Sequence, residues 1–275
     1  MMQMSHFMLL FKEYRMIIVA AILVLANIIW YVRNRSQKKK LGEIVLPPNA
    51  AQLLTENVPF YNKLNDKNKA IFEARIKDFL AHTTVRGVEV EVDELDRILV
   101  ASGAIMLIFS FPDWKYNNIS EVLLYPNSFD RDFSQDAPQR NVLGMVGDGA
   151  MHREMILSKA SLHASFSNPA DGENTVLHEF AHLIDKADGA TDGVPEYLLS
   201  KSQVLPWINL VRETINEMRK NGRSDIDFYG STNETEFFAV VTEYFFERPD
   251  KLKEHHPELF SMLEQMFHPP ATAKK

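Results

Sequence analysis

No cysteine occurs in the 275-residue chain, which excludes a disulfide framework, a thiol nucleophile, a zinc ribbon and an iron–sulfur centre together. Internal repeats and low-complexity tracts are missing too, so solenoids and repeat arrays drop out. Positive charge is scarce outside the first forty residues. That segment holds Lys12, Arg15, Arg33, Arg35, Lys38, Lys39 and Lys40 against Glu13, a net +6, while the remaining 235 residues carry a net −13. A body that acidic is repelled by phosphate backbones, and no nucleic-acid partner is expected. The glycines of Gly144-Met145-Val146-Gly147-Asp148-Gly149 lack the spacing and strand-to-helix context of a dinucleotide loop. What is present is ordinary globular usage, 45% apolar and 24% charged, at a length that suits one large domain or two small ones.

Met16 to Val32 is an uncharged, largely apolar run of seventeen residues. As a helix it would be ~26 Å long, and Arg15 and Arg33 can snorkel to close the gap to a full hydrocarbon core. Trp30 and Tyr31 stand where an interfacial aromatic belt belongs, and the basic cluster follows the apolar run, unlike a cleaved signal peptide. The pattern predicts a single-pass membrane protein: a short segment 1–15, a transmembrane helix 16–32, a basic juxtamembrane linker 33–48 and a domain 49–270. The positive-inside bias puts that domain in the cytoplasm.

The domain reads as α+β with its helices concentrated late. Asn65 or Asp66 can cap a helix carrying Ile71, Phe72, Ile76, Phe79 and Leu80, and Gly87 to Val92 alternates as a strand does. Asp93 to Phe109 predicts a buried helix; Glu121 to Tyr125 and Glu154 to Leu157 predict short strands. Arg131 to Gly149 reads as an irregular loop or hairpin. Further helices are expected at about Glu173 to Lys186, Leu205 to Lys220, Asn233 to Glu247 and Pro257 to Met266.

His178-Glu179-Phe180-Ala181-His182 carries the chemistry. Histidines four apart on a helix lie on one face and can share an ion, with Glu179 beside the first, placed to address a water on that ion. Asp185 either accepts from a ligand imidazole or is a solvated carboxylate. A catalytic zinc needs a third protein ligand and an open position. Asp188 falls six residues after His182, where metzincins place theirs, but Asp185 stands in for that family's glycine and no methionine turn is evident. The better source is the apolar helix around Glu236 and Glu243, which are seven apart and so on one face. Pattern cannot choose between these two, and Glu236 could instead complete a capping box with Asn233. The other seven histidines show no ligand spacing to one another.

From about Asn62 to Met266 the sequence resembles the MtfA (Mlc titration factor A) group of zinc-dependent peptidases. The resemblance rests on Val122-Leu123-Leu124-Tyr125-Pro126, Ile156-Leu157-Ser158 and Asn168-Pro169-Ala170-Asp171-Gly172-Glu173-Asn174 leading into the histidine motif. Asp188-Gly189, Asp192-Gly193-Val194-Pro195 and Thr235-Glu236-Phe237-Phe238-Ala239-Val240 through Glu243-Tyr244-Phe245-Phe246 follow in the same order. Lys159-Ala160 departs from the Trp-Asp that family members commonly carry there, and the apolar span is absent from the enterobacterial protein that named the family. The resemblance implies a mostly helical, zincin-like domain with a small sheet, binding zinc through His178, His182 and Glu236. It implies Glu179 as catalytic base, Tyr229 as a tyrosine near the metal, and a peptide or protein substrate. It also implies an alternative: a regulatory binding protein that sequesters a transcription factor or scaffolds a membrane complex.

Overall fold

A computed structural model of the chain describes residues 45–128, 143–147, 153–168 and 172–269. The chain divides after Val45, so the described residues belong, but for Val45, to the second unit, Leu46–Lys275. Expected segments 1–15 and 16–32, and most of 33–48, lie outside the described residues.

Helices α1 (Ala50–Asn57), α2 (Pro59–Asn62) and α3 (Asp66–His82) lead into strand β1 (Thr84–Gly87). Asn65 is the cap of α3, its side chain accepting from the Asn68 N–H. The expected strand over 87–92 is displaced. β1 ends at Gly87, and the chain bends through Val88–Val90, where Glu89 takes a left-handed φ of 59° that no strand accommodates. Helix α4 (Glu94–Ile108) then crosses back, as a parallel connection requires, to β2 (Glu121–Tyr125). Its capping box joins Asp93 and Asp96, and nearly every residue from Ile98 to Ile108 is buried.

β3 (Gly144–Val146) and β4 (Glu154–Ser158) complete a mixed four-stranded sheet ordered β1-β2-β4-β3. β4 runs parallel to β2, and β3 pairs with it antiparallel, Met145 opposite Ile156. Helices α5 (Lys159–Ser167), α6 (Thr175–Asp185), α7 (Lys201–Asn221), α8 (Glu234–Glu247), α9 (Pro249–His255) and α10 (Pro257–Phe267) follow, with 3₁₀ turns at Lys186–Asp188 and Phe228–Ser231. The core closes on Phe72, Phe180, Trp207, Phe237, Phe238 and Phe267, all inaccessible to solvent or nearly so. The molecule is mostly helical with a small mixed sheet, the α+β class expected.

The expected membrane placement is corrected. Among the described residues no helix is long and apolar enough to cross a membrane, and the run Met16 to Val32 lies outside them. A span needs about 20 apolar residues. The most apolar long helix, α4, is only 15 residues long and buries nearly all of its stretch from Ile98 to Ile108 in the core; the longest, α7, has 21 residues and exposes Arg212, Glu213, Glu217, Arg219 and Lys220.

Candidate metal centre

Two crossing helices build the site. Asn174 caps α6 by accepting from the Leu177 N–H, and Val176, Leu177, Phe180, Ala181, Leu183 and Ile184 bury its apolar face. The remaining face carries His178 and His182, one turn apart, their rings 4.7 Å apart and nearly perpendicular. α8 packs directly against α6. Asn233 caps α8 through the Glu236 backbone N–H, which leaves the Glu236 side chain to reach the histidines.

The Glu236 carboxylate meets both imidazoles. Its Oε2 lies 3.1 Å from His178 Nε2 and 3.4 Å from His182 Nε2. Among the described residues, these three are the one group able to offer converging ligand atoms to a metal, all within 4.8 Å of one another. Ligand atoms 2.0–2.1 Å from one tetrahedral ion sit about 3.3 Å apart, close to the separations of Glu236 Oε2 from the two imidazole nitrogens. Two turns further along α8, Glu243 Oε1 lies 2.7 Å from His178 Nδ1, and its other oxygen accepts from the Asn174 N–H. A proton on Nδ1 donated to Glu243 leaves the Nε2 lone pair facing the cluster, the tautomer a metal requires.

The electrostatics say the same. Burial alone would push the His178 imidazolium down, but hydrogen bonds to Glu236 and Glu243 outweigh it and hold the ring up to about 10. Burial would raise Glu236, yet bonds to the two histidines hold its carboxyl well below the ordinary range. Without a cation, a proton on imidazole supplies the positive charge that this carboxylate pair demands. Glu179 is buried, and burial pushes its carboxyl up; its Oε2 has no hydrogen bond among the described residues.

A cleft of about 510 Å³ opens over the three residues, lined also by Glu179, Lys186, Tyr229 and strand β3. β3 is the outer strand of the sheet among the described residues. Leu143 and Gly147 bond back to β4, so ladder alternation turns the backbone groups of Gly144 and Val146 away from it, toward the free edge. Gly144 also packs against Glu179: a Cβ there would fall 2.7 Å from Glu179 Oε1.

A profile of the family described as glucose-regulated metallo-peptidase M90 matches residues 32–268. The chain belongs to this family. Among M90-like relatives, an uncharacterized protein of Synechocystis is 30% identical over 246 residues, covering 84% of this chain and 87% of that protein. Mlc titration factor A of Salmonella arizonae is 28% identical over 249 residues, covering 80% and 95%. The Escherichia coli strain 55989 protein of that name is 28% identical over 229 residues, covering 77% and 83%. An M90 chain is a metallo-peptidase by family, and its His-His-Glu cluster is of a kind that binds a metal.

Within this M90 fold, His178, His182 and Glu236 come together as the sequence reading expected, with Glu179 on the same cleft. Tyr229 lines it too, half exposed, its ring 6.0 Å from that of His178. Asp188 is not part of the cluster; it sits in the 3₁₀ turn and accepts from the Ala190 N–H. Asp185 fits neither expectation. It is fully buried, and its bonded oxygen accepts from the Gly193 N–H instead of an imidazole. Strand β3 was not legible, being three residues inside a glycine-rich stretch. Asn174 was, in principle: an asparagine just before an apolar-periodic helix is a cap signal.

Proposed function

We propose that the chain is a zinc-dependent peptidase that hydrolyses peptide bonds of a peptide or protein substrate at the His178–His182–Glu236 cluster. The observation that carries this reading is the convergence of those three ligand atoms beside a buried carboxylate oxygen of Glu179 that has no hydrogen bond among the described residues. Zinc in such a site supplies a Lewis acid that acidifies water and polarises a carbonyl. Glu179 takes up the proton lost by the attacking water and returns it to the leaving amine, a task suited to a carboxyl that burial holds above its ordinary range. Tyr229 donates its hydroxyl toward the carbonyl oxygen as charge gathers there. Glu243 holds the His178 ring in register. The outward backbone groups of Gly144 and Val146 receive the extended substrate as an added strand.

Chelation followed by metal return tests this reading. Dialysis against a chelator should abolish hydrolysis of a peptide library, and one equivalent of zinc should restore it. Glu236→Ala should lose bound zinc while Asp188→Ala retains it; the reverse pattern, or hydrolysis by metal-free protein, contradicts the assignment.

The relatives named Mlc titration factor A support a second reading, binding of a protein regulator. A host deletion complemented fully by Glu179→Gln would favour that role; failure to complement favours catalysis.

A further inference from the structure

Beside the cleft over the three-residue cluster lies a second cavity of about 590 Å³. Thr191, Thr235 and Glu236 line both, so the second cavity begins at a proposed metal ligand. Its floor is apolar. Trp207 and Val211 are buried, Ile208 and Val194 half-buried, and Trp207, Ile208 and Val211 fall on one face of α7. Charge sits at the mouth, with half-buried Glu236, and at the rim, where Asp192, Arg212 and Glu234 are exposed and the Arg212 and Glu234 side chains lie 4.0 Å apart.

The wall at Gly193 is fixed from every side. Its N–H donates to the buried Asp185 carboxylate at 3.0 Å, and its carbonyl accepts from the Trp207 indole N–H at 2.7 Å. Its φ is 76°, and a Cβ would lie 2.2 Å from the Glu234 carbonyl oxygen, so only glycine fits. A pocket whose floor is core tryptophan and whose wall is tied down by buried groups is preorganised for its occupant.

We propose that this cavity is the subsite for the substrate side chain next to the scissile bond, and that it selects a bulky apolar residue, aromatic or branched aliphatic. The proposal rests on the peptidase reading above. A carbonyl held over the three-residue cluster lies within one residue's length, about 3.5 Å of chain plus its side chain, of the pocket mouth at Glu236. An apolar floor gives a large apolar side chain a place to leave water, whereas a charged one reaching that floor would lose hydration. Asp185 and Trp207 are positioning residues here, acting through Gly193.

The test uses the full-length, zinc-loaded chain. Peptide-library hydrolysis should show kcat/KM about tenfold or more higher for Phe or Leu than for Ala or Asp at one position flanking the cleaved bond. Ile208→Trp, which fills the pocket, and Ile208→Gln, which makes its floor polar, should each erase that preference with zinc content unchanged. Zinc-loaded Glu179→Gln supplies a readout without turnover: calorimetry should show the Phe peptide binding about tenfold tighter than its Ala counterpart, and Ile208→Trp on that background should abolish the difference. Hydrolysis with no flanking preference, or Ile208 variants with the parental profile, overturns the subsite and leaves the peptidase reading standing. No hydrolysis by the wild type with the binding preference intact overturns the peptidase reading and upholds the pocket. Loss of both overturns both.

Discussion

Glu243 touches neither the cleft nor, in the proposed arrangement, the ion, yet it accepts from two groups at once, His178 Nδ1–H and the Asn174 backbone N–H. A carboxylate can do this because both of its oxygens accept; a primary amide cannot, because one of its atoms only donates. Glu243→Gln should therefore break one of the two links and free the His178 ring to turn. Zinc affinity should fall by roughly 10- to 100-fold, the usual cost of losing an outer partner of a histidine ligand. Competition with a chromophoric chelator measures this, and unchanged affinity would show that Glu243 does not orient His178. The same pair marks the limit of sequence reasoning at this scale. His178 and His182 are legible because four-residue spacing on a helix is local geometry. Choosing Glu236 over Glu243 depends on where α8 crosses α6, a tertiary fact, and Asp185 was undecidable because its partner Gly193 lies in a loop.

Among elements, α4 and α5 are joined by one buried carboxylate. Asp96 closes the capping box of α4, accepts from Lys159 Nζ at 2.8 Å and lies 2.7 Å from His163 Nε2, both on α5. Burial pushes its carboxyl up, but the bonds from Lys159, Asp93 and His163 prevail and hold it below the ordinary value. A carboxyl whose folded pKa lies below its unfolded value, about 3.9, contributes stability in full above that value and loses it as pH falls through the folded pKa. Asp96→Asn should thus cost about 1–3 kcal/mol at pH 7, with the gap to wild type narrowing below about pH 4. Urea unfolding across that range checks it; a gap constant with pH would put the effect in packing and not in charge. Helices were the elements best read from sequence, because caps such as Asn65 and Asp93 and the apolar period are local signals. Strands fared worse. Val88, Val90 and Val92 alternate correctly, but strand pairing is non-local, and β1 stops at the bend where Glu89 turns left-handed. α7 begins at Lys201, ahead of expectation, because Ser200 and Gln203 form its capping box and Pro206 is tolerated inside it.

At the scale of the molecule, the sheet, the α6–α8 crossing and the α7 face deliver side chains to two neighbouring cavities that share Thr191, Thr235 and Glu236, one of them bordered by strand β3 and holding the three-residue cluster. The apolar run at the N-terminus carried the expectation of a membrane placement but lies outside the described residues, and among those no helix is long and apolar enough to cross a bilayer. In the proposed reaction the cleft over the three-residue cluster hydrolyses peptide bonds with Glu179 as the base. Glu179→Gln tests it most directly, because the replacement keeps shape and burial while removing the proton acceptor. Zinc per chain and kcat/KM on a cleaved peptide should be measured on the same sample. The account predicts zinc content equal to wild type and kcat/KM reduced by about 10²–10⁴-fold or more; a fully zinc-loaded Glu179→Gln protein with wild-type kcat/KM would contradict it.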